Sequence, residues 1–313
     1  MSEHPESLEN DWMTEQGPVS TAMKDYLLEH QPEYDLFIFF SFRYYTTFTM
    51  LPFLSEKSIL VPTAEHDDII YLRLFKSFFH YPAAIAYNSE EERALIRKIS
   101  HNEEVPGLVV GIGSEIPRSG NESRFRARFQ ISAPYIFYVG RLDENKGIPL
   151  LFDYFLRYCK GHPRETLQLV LAGKTIIDIP DHPRIRYLGF IEDEDKFDGL
   201  AGADLLVIPS QYESLSMVTL EAWAMSKPVL ANGRTEVLKG QCQRSNAGLW
   251  FERYDQFACA LALLVKNADL RKKMGENGRH YFVENYSWPV IEAKYERLIR
   301  MVEDRAVRNS APA

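Results

Sequence analysis

The 313-residue sequence has little cysteine and no long apolar run. Its three cysteines, Cys159, Cys242 and Cys259, form no C-x-x-C pair, so we expect packed thiols in a reducing compartment. No stretch reaches the ~18 apolar residues of a membrane span, and the acidic amino terminus is unlike a secretory signal. Basic residues number 36 against 44 acidic ones, so no nucleic-acid partner is expected. These absences predict a cytoplasmic protein.

Two further absences exclude classes of function. No G-x-G-x-x-G motif leads from a strand into a helix, which argues against a Rossmann oxidoreductase. Residues 193–195 read Asp-Glu-Asp, but they precede a predicted helix, whose dipole such acids complement. Residues 66–68, His-Asp-Asp, lack the ligand set expected for zinc. We therefore predict no metal site.

The most informative stretch is residues 203–232, with the sequence ADLLVIPSQYESLSMVTLEAWAMSKPVLAN. A strand-length apolar run, a polar turn, a helical repeat and a second apolar run follow one another, which is typical of parallel α/β sheets. Glu213 and Glu221 frame the turn, and the helical spacing places Glu221 two turns into the helix. Glu213 alone could be an ordinary helix-start acid and Glu221 a solvated one. The apolar neighbours of Glu221 favour a carboxylate with a partner.

The string ESLSMVTLEAWAMSKPVLAN resembles the E-x7-E donor-site motif of retaining glycosyltransferases of family 4. The resemblance implies an α/β GT-B fold, in which two Rossmann-like parallel-sheet domains face a cleft. It implies that Glu213 contacts the transferred sugar and that Glu221 holds the nucleotide ribose. The backbone amides implied for phosphate and sugar hydroxyls are those of Ser214, Leu215, Ser216, Met217 and Val218. Many family members have E-G-F-G here, where this chain has Ser214, Leu215 and Ser216 after the glutamate.

A second element, GRLDENKG at residues 140–147, follows a predicted strand. Gly140 allows a phosphate to approach the backbone, and two cations follow it. The element resembles the family's G-R-x-x-x-x-K-G, which implies that Arg141 and Lys146 grip the donor diphosphate. A charged βα loop is the ordinary alternative for such a sequence. Its order relative to the glutamate pair favours the donor site.

The resemblance extends to the nucleobase and to the sugar. It implies that the backbone near Phe190 and Ile191 receives the base, with Gly173 and Lys174 beside it. The run VPTAEHDDIIY resembles the family's P-x-x-H-D segment, in which the histidine touches the donor sugar, and this assigns His66. A surface-loop histidine is the alternative there. The catalytic set implied is thus Glu213, His66, Arg141 and Lys146.

The domain prediction places a shortened acceptor-side domain at 1–112, a donor-binding domain at 113–288 and a returning helix, then a tail, at 289–313. About four strands are visible before Gly111, and a partner chain or self-association is expected to complete that sheet. Residues 1–18 are predicted to be a loose leader. Residues 69–80 are predicted to be one helix, in the core or on a membrane surface. Residues 116–130, with four arginines, are predicted to be a solvated linker.

The predicted function is transfer of a sugar from a nucleotide-diphosphate donor, such as a UDP- or GDP-sugar, to a glycan or lipid-linked acceptor. The resemblance implies retention of configuration without a metal or another cofactor. A non-catalytic nucleotide-sugar-binding subunit of a split glycosyltransferase is the alternative. Peripheral attachment to the inner membrane face is left open beside the cytoplasmic location.

Overall fold

The computed structural model describes residues 5–310. The chain divides into two compact units: the described part of Met1–Ile112 together with that of Trp288–Ala313, and Gly113–Ser287. Within residues 5–310, each unit contains one parallel β-sheet, with four strands in the first unit and six in the second. None of the helices within residues 5–310 has the length and low charge needed to cross a bilayer.

The strands are, in chain order, β1 Phe37–Phe40, β2 Ser58–Val61, β3 Ala84–Tyr87, β4 Gly107–Val109, β5 Tyr135–Val139, β6 Gln168–Ala172, β7 Ile185–Tyr187, β8 Leu205–Ile208, β9 Val229–Asn232 and β10 Gly248–Phe251. The α-helices are α1 Glu6–Gln16, α2 Thr21–Glu29, α3 Tyr45–Met50, α4 Leu74–Phe78, α5 Glu90–Ser100, α6 Glu122–Phe129, α7 Ile148–Gly161, α8 Asp193–Gly202, α9 Met217–Ala224, α10 Glu236–Ser245, α11 Tyr254–Lys266, α12 Ala268–Tyr286 and α13 Trp288–Ser310.

The sheet of the first unit has the order β1-β2-β3-β4, and the strand number matches the sequence-based expectation. Every residue of β2 and β3 is buried, as continuous apolar runs in a parallel sheet predict. Aromatic side chains fill the core beside the sheet, with Phe42 and Phe75 edge to face at 4.6 Å between ring centroids. Helix α13 packs on this sheet, and Lys294 Nζ donates to the Val110 carbonyl at 3.2 Å.

The prediction of a loose leader is wrong within the described residues, because residues 6–16 form α1. Met13 is buried, and the buried Glu9 carboxylate accepts hydrogen bonds from Arg73 Nε and Leu74 N, both at 3.1 Å. The single helix over residues 69–80 is also wrong. Leu72 is extended, and only a short 3-10 turn and α4 flank it. The contacts with Glu9 from α1 lie at the start of α4, so a distant segment contributes to the local structure here.

The core alternative holds for the three phenylalanines of that segment. Phe75, Phe78 and Phe79 are each at most 1% exposed, which leaves these rings no surface to offer a membrane. The predicted tail is helical as far as Ser310, where α13 ends; residues 311–313 lie outside the described part of the chain.

The sheet of the second unit has the order β10-β9-β8-β5-β6-β7. The chain starts at β5, moves outward to β7 and returns to β8 on the other side of β5. This reversal of strand order creates a topological switch point between β5 and β8, where open α/β sheets bind ligands. Helix α10, which the sequence analysis did not predict, lies between β9 and β10.

The solvated-linker prediction for residues 116–130 is wrong, because this segment contains α6, packed on α8. Phe125 is fully buried at that contact. Arg124 Nε lies 2.5 Å from Asp198 Oδ2, and an Arg128 guanidinium nitrogen lies 3.1 Å from Asp195 Oδ2. Two of the four arginines therefore pair with acids of the neighbouring helix.

Candidate active site

Four loops follow the carboxyl ends of four neighbouring strands in the second unit. They are the β5 loop, residues 140–147; the β6 loop, residues 173–175; the β7 loop, residues 189–191; and the β8 loop, residues 209–216. Parallel strands end at one edge of their sheet, so the four loops lie side by side. This edge includes the switch point and is the expected ligand-binding edge of such a sheet.

The β5 and β8 loops touch through their backbones. Gly147 has φ 70°, and a Cβ added there would lie 2.1 Å from the Pro209 carbonyl oxygen. Gln211 N donates a hydrogen bond to the Asn145 carbonyl at 3.3 Å. A glycine is needed at position 147 both for its backbone angles and for this close approach.

The contact brings together two of the predicted site residues, Lys146 and Glu213. Lys146 Nζ lies 2.8 Å from Glu213 Oε1, and the two side chains are 27% and 11% exposed. Asp143 Oδ1 accepts the Lys146 backbone N–H at 2.8 Å and fixes the turn that carries the lysine. The result is a partly buried ion pair at the edge of the sheet.

Arg141 lies on the same β5 loop, with its side chain 73% exposed. Its nearest acid is Asp143, at 3.4 Å between NH2 and Oδ2. The Tyr138 hydroxyl donates to the Arg141 carbonyl at 2.6 Å. Burial raises the pKa of Tyr138, the charges of Asp143 and Glu213 raise it further, and Arg141 lowers it. Three charged groups of the two loops thus act on the buried Tyr138. The Arg141 guanidinium remains largely accessible.

The β8 loop leads into α9 later than the sequence suggests. The helix begins at Met217, so Glu213 lies in the loop and Glu221 is little more than one turn into the helix rather than two. Thr235 Oγ1 donates to the carbonyls of Ser210 and Gln211, at 2.7 and 3.1 Å. These bonds attach the β8 loop to the segment that follows β9.

The residues predicted to offer backbone amides span the start of α9. Leu215 and Ser216 are buried, while Ser214, Met217 and Val218 are partly exposed. Ser216 is the N-cap, and its side chain makes no capping hydrogen bond. The first N–H groups of any helix lack partners inside that helix and can bind an anion.

Glu221 is 7% exposed and pairs with a lysine of another helix. Lys196 Nζ of α8 lies 2.9 Å from Glu221 Oε1 and 2.9 Å from Asp193 Oδ1. Burial raises the pKa of Glu221, and the bond from Lys196 offsets part of that rise. Glu221 therefore has the partner that its apolar neighbours lead one to expect.

The β6 and β7 loops form the other end of the row. A Cβ on Gly173 would lie 1.9 Å from the Gly140 carbonyl oxygen, and Gly173 N donates to the Gly189 carbonyl at 2.8 Å. Phe190 is 65% exposed, with Lys174 Nζ 5.8 Å from its ring centroid. Ile191 beside it is partly exposed. An accessible ring next to exposed loop backbone offers a surface on which a planar base can stack.

His66 belongs to the first unit, in the loop after β2, and its side chain is exposed. Its Nε2 lies 2.7 Å from the Tyr71 hydroxyl. Glu92 anchors this loop: its buried carboxylate accepts hydrogen bonds from Ala64 N in the loop and from Asn88 N. The structure thus shows how the His66 loop is anchored within its own unit.

Several residues of the site were missed by sequence reasoning. Asp143 precedes Lys146 by three residues, a spacing at which an aspartate can cap a turn, and this signal was available. Lys196 has one local partner, Asp193, but its contact with Glu221 spans 25 residues and leaves no local signal. Thr235 likewise carries no local signal, because its partners in the β8 loop are distant in the sequence.

Two of the acidic side chains that follow the β7 loop have basic partners. Asp193 pairs with Lys196, and Asp195 pairs with Arg128, both from the first turn of α8. Across residues 5–310 there is no group of three or more His, Cys, Asp or Glu side chains that could hold a metal ion.

Comparison with known proteins gives three kinds of match. The family model described as "Glycosyl transferases group 1" matches residues 120–281. Mannosylfructose-phosphate synthase of Agrobacterium fabrum is 25% identical over 199 residues, 58% of this chain and 43% of that protein. The lipopolysaccharide core biosynthesis glycosyltransferase LpsE of Rhizobium meliloti is 29% identical over 177 residues, 53% of this chain and 50% of that protein. The chain therefore spans about half the length of these curated relatives.

Among solved structures, HepE of Anabaena in complex with UDP-glucose has a TM-score of 0.72 at 15% identity, covering 92% of this chain and 84% of that one. The likeness shows the fold, which is GT-B, with two parallel-sheet α/β domains. The family match includes the four loops, the ion pair of Lys146 with Glu213 and the start of α9. By the extent of that match, this chain belongs to the glycosyl transferases group 1 family.

Proposed function

We propose that the protein is a retaining glycosyltransferase of family 4, which moves a sugar from a nucleotide-diphosphate donor to a glycan or surface-polysaccharide acceptor. The observation that carries the proposal is the contact of Lys146 Nζ with Glu213 Oε1, 2.8 Å, close to the start of α9. It joins a cation, a carboxylate and the amino end of a helix at the ligand-binding edge of a parallel sheet. The family membership of the chain supports the same reaction class.

The donor diphosphate is assigned to Lys146, Arg141 and the amides of residues 214–218. The leaving nucleotide gains negative charge as its bond to the sugar breaks, and fixed cations and N–H dipoles stabilise such charge most effectively. The exposed Arg141 side chain can turn towards a phosphate at the cost of only a 3.4 Å contact with Asp143. Gly140 leaves room for a phosphate near the backbone.

The remaining donor contacts follow the row of loops. Glu213 receives hydroxyls of the transferred sugar, and Glu221 receives those of the ribose. Phe190, Ile191, Gly173 and Lys174 receive the nucleobase, for which the exposed Phe190 ring is the supporting observation.

Retention of configuration and independence from metals are parts of the proposal. The acceptor hydroxyl attacks from the side of the leaving group, and the departing phosphate takes its proton, so no enzyme base is needed. Lys146 and Arg141 supply positive charge at the diphosphate, the role a metal plays in other transferases. His66 is assigned to the donor sugar, since a neutral imidazole can donate to a hydroxyl.

The first unit is proposed to be a shortened acceptor-side domain, and the acceptor to be a glycan or a lipid-linked one. The named role of LpsE in lipopolysaccharide core synthesis supports that class of acceptor. A partner chain or a second copy is proposed to complete the first sheet. Strand β1 lies at its edge, with Ile38 46% and Phe40 53% exposed. We propose a cytoplasmic location, where the three free thiols would stay reduced.

The same exposed edge favours a second candidate, a non-catalytic nucleotide-sugar-binding subunit that needs a catalytic partner. In both cases a thermal-shift screen over nucleotide-sugars should find a stabilising donor, because a ligand that binds only the folded state raises the melting temperature. Release of nucleotide from that donor by the purified chain, with water or an acceptor, supports the enzyme. Binding without turnover supports the subunit.

Lys146→Ala and Glu213→Ala test the site. We expect each to lower turnover by about 100-fold or more, as removal of transition-state charge stabilisation does elsewhere. Lys239→Ala is the matched control, since Lys239 also pairs with a glutamate, Glu252, at 3.1 Å outside the four loops. Unchanged turnover in both site variants would contradict the assignment of Lys146 and Glu213 to the active site. If the protein bound no nucleotide-sugar, both the enzyme and the non-catalytic subunit would be excluded.

A further inference from the structure

The carboxylate of Glu221 is in an unusual environment for an acid that is to meet a ligand. Its neighbours Leu220, Ala222 and Trp223 are fully buried, and Glu221 itself is 7% exposed. A carboxylate with no partner in such surroundings would be costly to ionise. A positive charge that opposes this cost lies outside its own helix.

The compensating charge comes from Lys196, on α8. Its Nζ lies 2.9 Å from Glu221 Oε1 and 2.9 Å from Asp193 Oδ1, so the ammonium is fixed between a buried and an exposed carboxylate. Its position over the Phe197 ring, 4.6 Å from the centroid, restrains it further. The lysine side chain is only 16% exposed, which makes it a built part of the site rather than a surface cation.

Lys196 uses only one oxygen of Glu221. Among the hydrogen bonds within residues 5–310, the one to Glu221 is accepted by Oε1, and none uses Oε2. An ionised carboxylate accepts hydrogen bonds at both oxygens, whereas a protonated one must place a hydrogen on one of them. The second oxygen is therefore available for hydroxyl donors as long as the carboxyl is charged.

We propose that Lys196 is a positioning residue that holds Glu221 ionised and oriented, so that Oε2 accepts the vicinal hydroxyls of a ribose. The inference rests on the proposed function, which assigns Glu221 to the nucleotide ribose. It adds that selectivity for ribonucleotides depends on a lysine from α8 that never touches the nucleotide. A ligand that lacks both ribose hydroxyls should not depend on Lys196.

The pH dependence follows from the charges around Glu221. Burial raises the pKa of Glu221, and Lys196 and Asp193 of α8 act on it in opposite directions. Helix α12 also packs against α9, and its Arg279 guanidinium donates to the Ala224 carbonyl. Without Lys196 the pKa of Glu221 rises further, so more of the carboxyl is protonated at neutral pH. Ribonucleotide binding should then weaken at pH 7 and recover as the pH rises.

The experiment measures binding of UDP and GDP, and of their 2′,3′-dideoxy analogues, by titration calorimetry from pH 6.5 to 9. For Lys196→Met we expect about tenfold weaker ribonucleotide binding at pH 7, the usual order for one charged hydrogen bond. Binding should recover towards the wild-type value as the pH rises to 9. The dideoxy analogues should bind within about twofold of wild type, and Lys196→Arg should behave as wild type does. Lys239→Met, which breaks the partly exposed pair with Glu252, is the control.

Glu221→Gln is a second variant, which tests the inference even if Lys196→Met folds poorly. Gln cannot ionise, so its weaker ribonucleotide binding should not recover with pH, and adding Lys196→Met should weaken binding no further. Equal losses for ribo- and dideoxynucleotides, or no loss in Lys196→Met, would overturn the inference and leave the proposed function in place. Wild-type protein that binds no nucleotide would overturn the proposed function, and the inference with it.

Discussion

Replacing Gly147 by alanine perturbs the point at which the β5 and β8 loops touch. The new Cβ would lie 2.1 Å from the Pro209 carbonyl oxygen and 2.8 Å from its carbon, a contact with backbone that cannot turn away. Gly147 also has φ 70°, where alanine is strained. Relief requires the two loops to separate, and Lys146 and Glu213 would move apart with them.

The expected cost has two parts. A left-handed conformation costs a non-glycine residue roughly 1–2 kcal/mol, and overpacking adds about 1–3 kcal/mol. The free energy of unfolding should therefore fall by about 2–5 kcal/mol. In a unit of this size, 1 kcal/mol corresponds to about 2–4 °C, so the melting temperature should drop on the order of 10 °C. A donor nucleotide should stabilise the variant less than it stabilises wild type.

Gly189→Ala is the matched control. Gly189 has φ 75°, but an added Cβ there would meet no atom within 4 Å. It should show only the conformational cost of about 1–2 kcal/mol. Thermal and urea unfolding of both variants, followed by circular dichroism, measures the difference. Equal destabilisation by the two alanines would refute the claim that close approach at Gly147 holds the loops together.

Three further predictions concern stability. Burial raises the pKa of Glu92 to about 8, above its unfolded value of 4.5. As the pH rises from about 4.5 to about 8, the free energy of unfolding of the wild type should therefore fall by up to about 5 kcal/mol relative to that of Glu92→Gln. Urea unfolding at several pH values measures this, and a pH-independent difference would contradict it. Phe125→Ala should lower the free energy of unfolding by about 3–5 kcal/mol in urea melts, because the ring is fully buried between α6 and α8. A loss under 1 kcal/mol would contradict the packing of α6 on α8. Met13→Ala should cost about 2–5 kcal/mol and Leu8→Ala under about 0.5 kcal/mol by thermal unfolding, since Met13 is 1% and Leu8 53% exposed; similar costs would mean that α1 is not anchored as described.

Much of the fold could be predicted from the sequence because it depends on local patterns. Apolar runs of strand length indicated the four strands before Gly111 and the strands on both sides of α9, which lie at these places within residues 5–310. The position of the candidate site followed from the same order, since loops at the carboxyl ends of parallel strands share one edge.

The errors concern segments whose state depends on distant partners. Residues 69–80 have a helical pattern, yet Glu9 engages the start of α4 and Leu72 is extended. The polar composition of residues 116–130 suggests a linker, but one buried ring, Phe125, and acids on α8 make it a packed helix. Composition alone cannot show which charges will find partners.

The sequence by itself determined which residues could form the site: the glutamate pair, the arginine and lysine of the β5 loop, and the glycines that permit tight turns. Only the tertiary structure decided how they are paired. Lys146 meets Glu213, and Lys196 meets Glu221, across separations of 67 and 25 residues. Such contacts leave no periodicity in the sequence, because they depend on which strands become neighbours in the sheet.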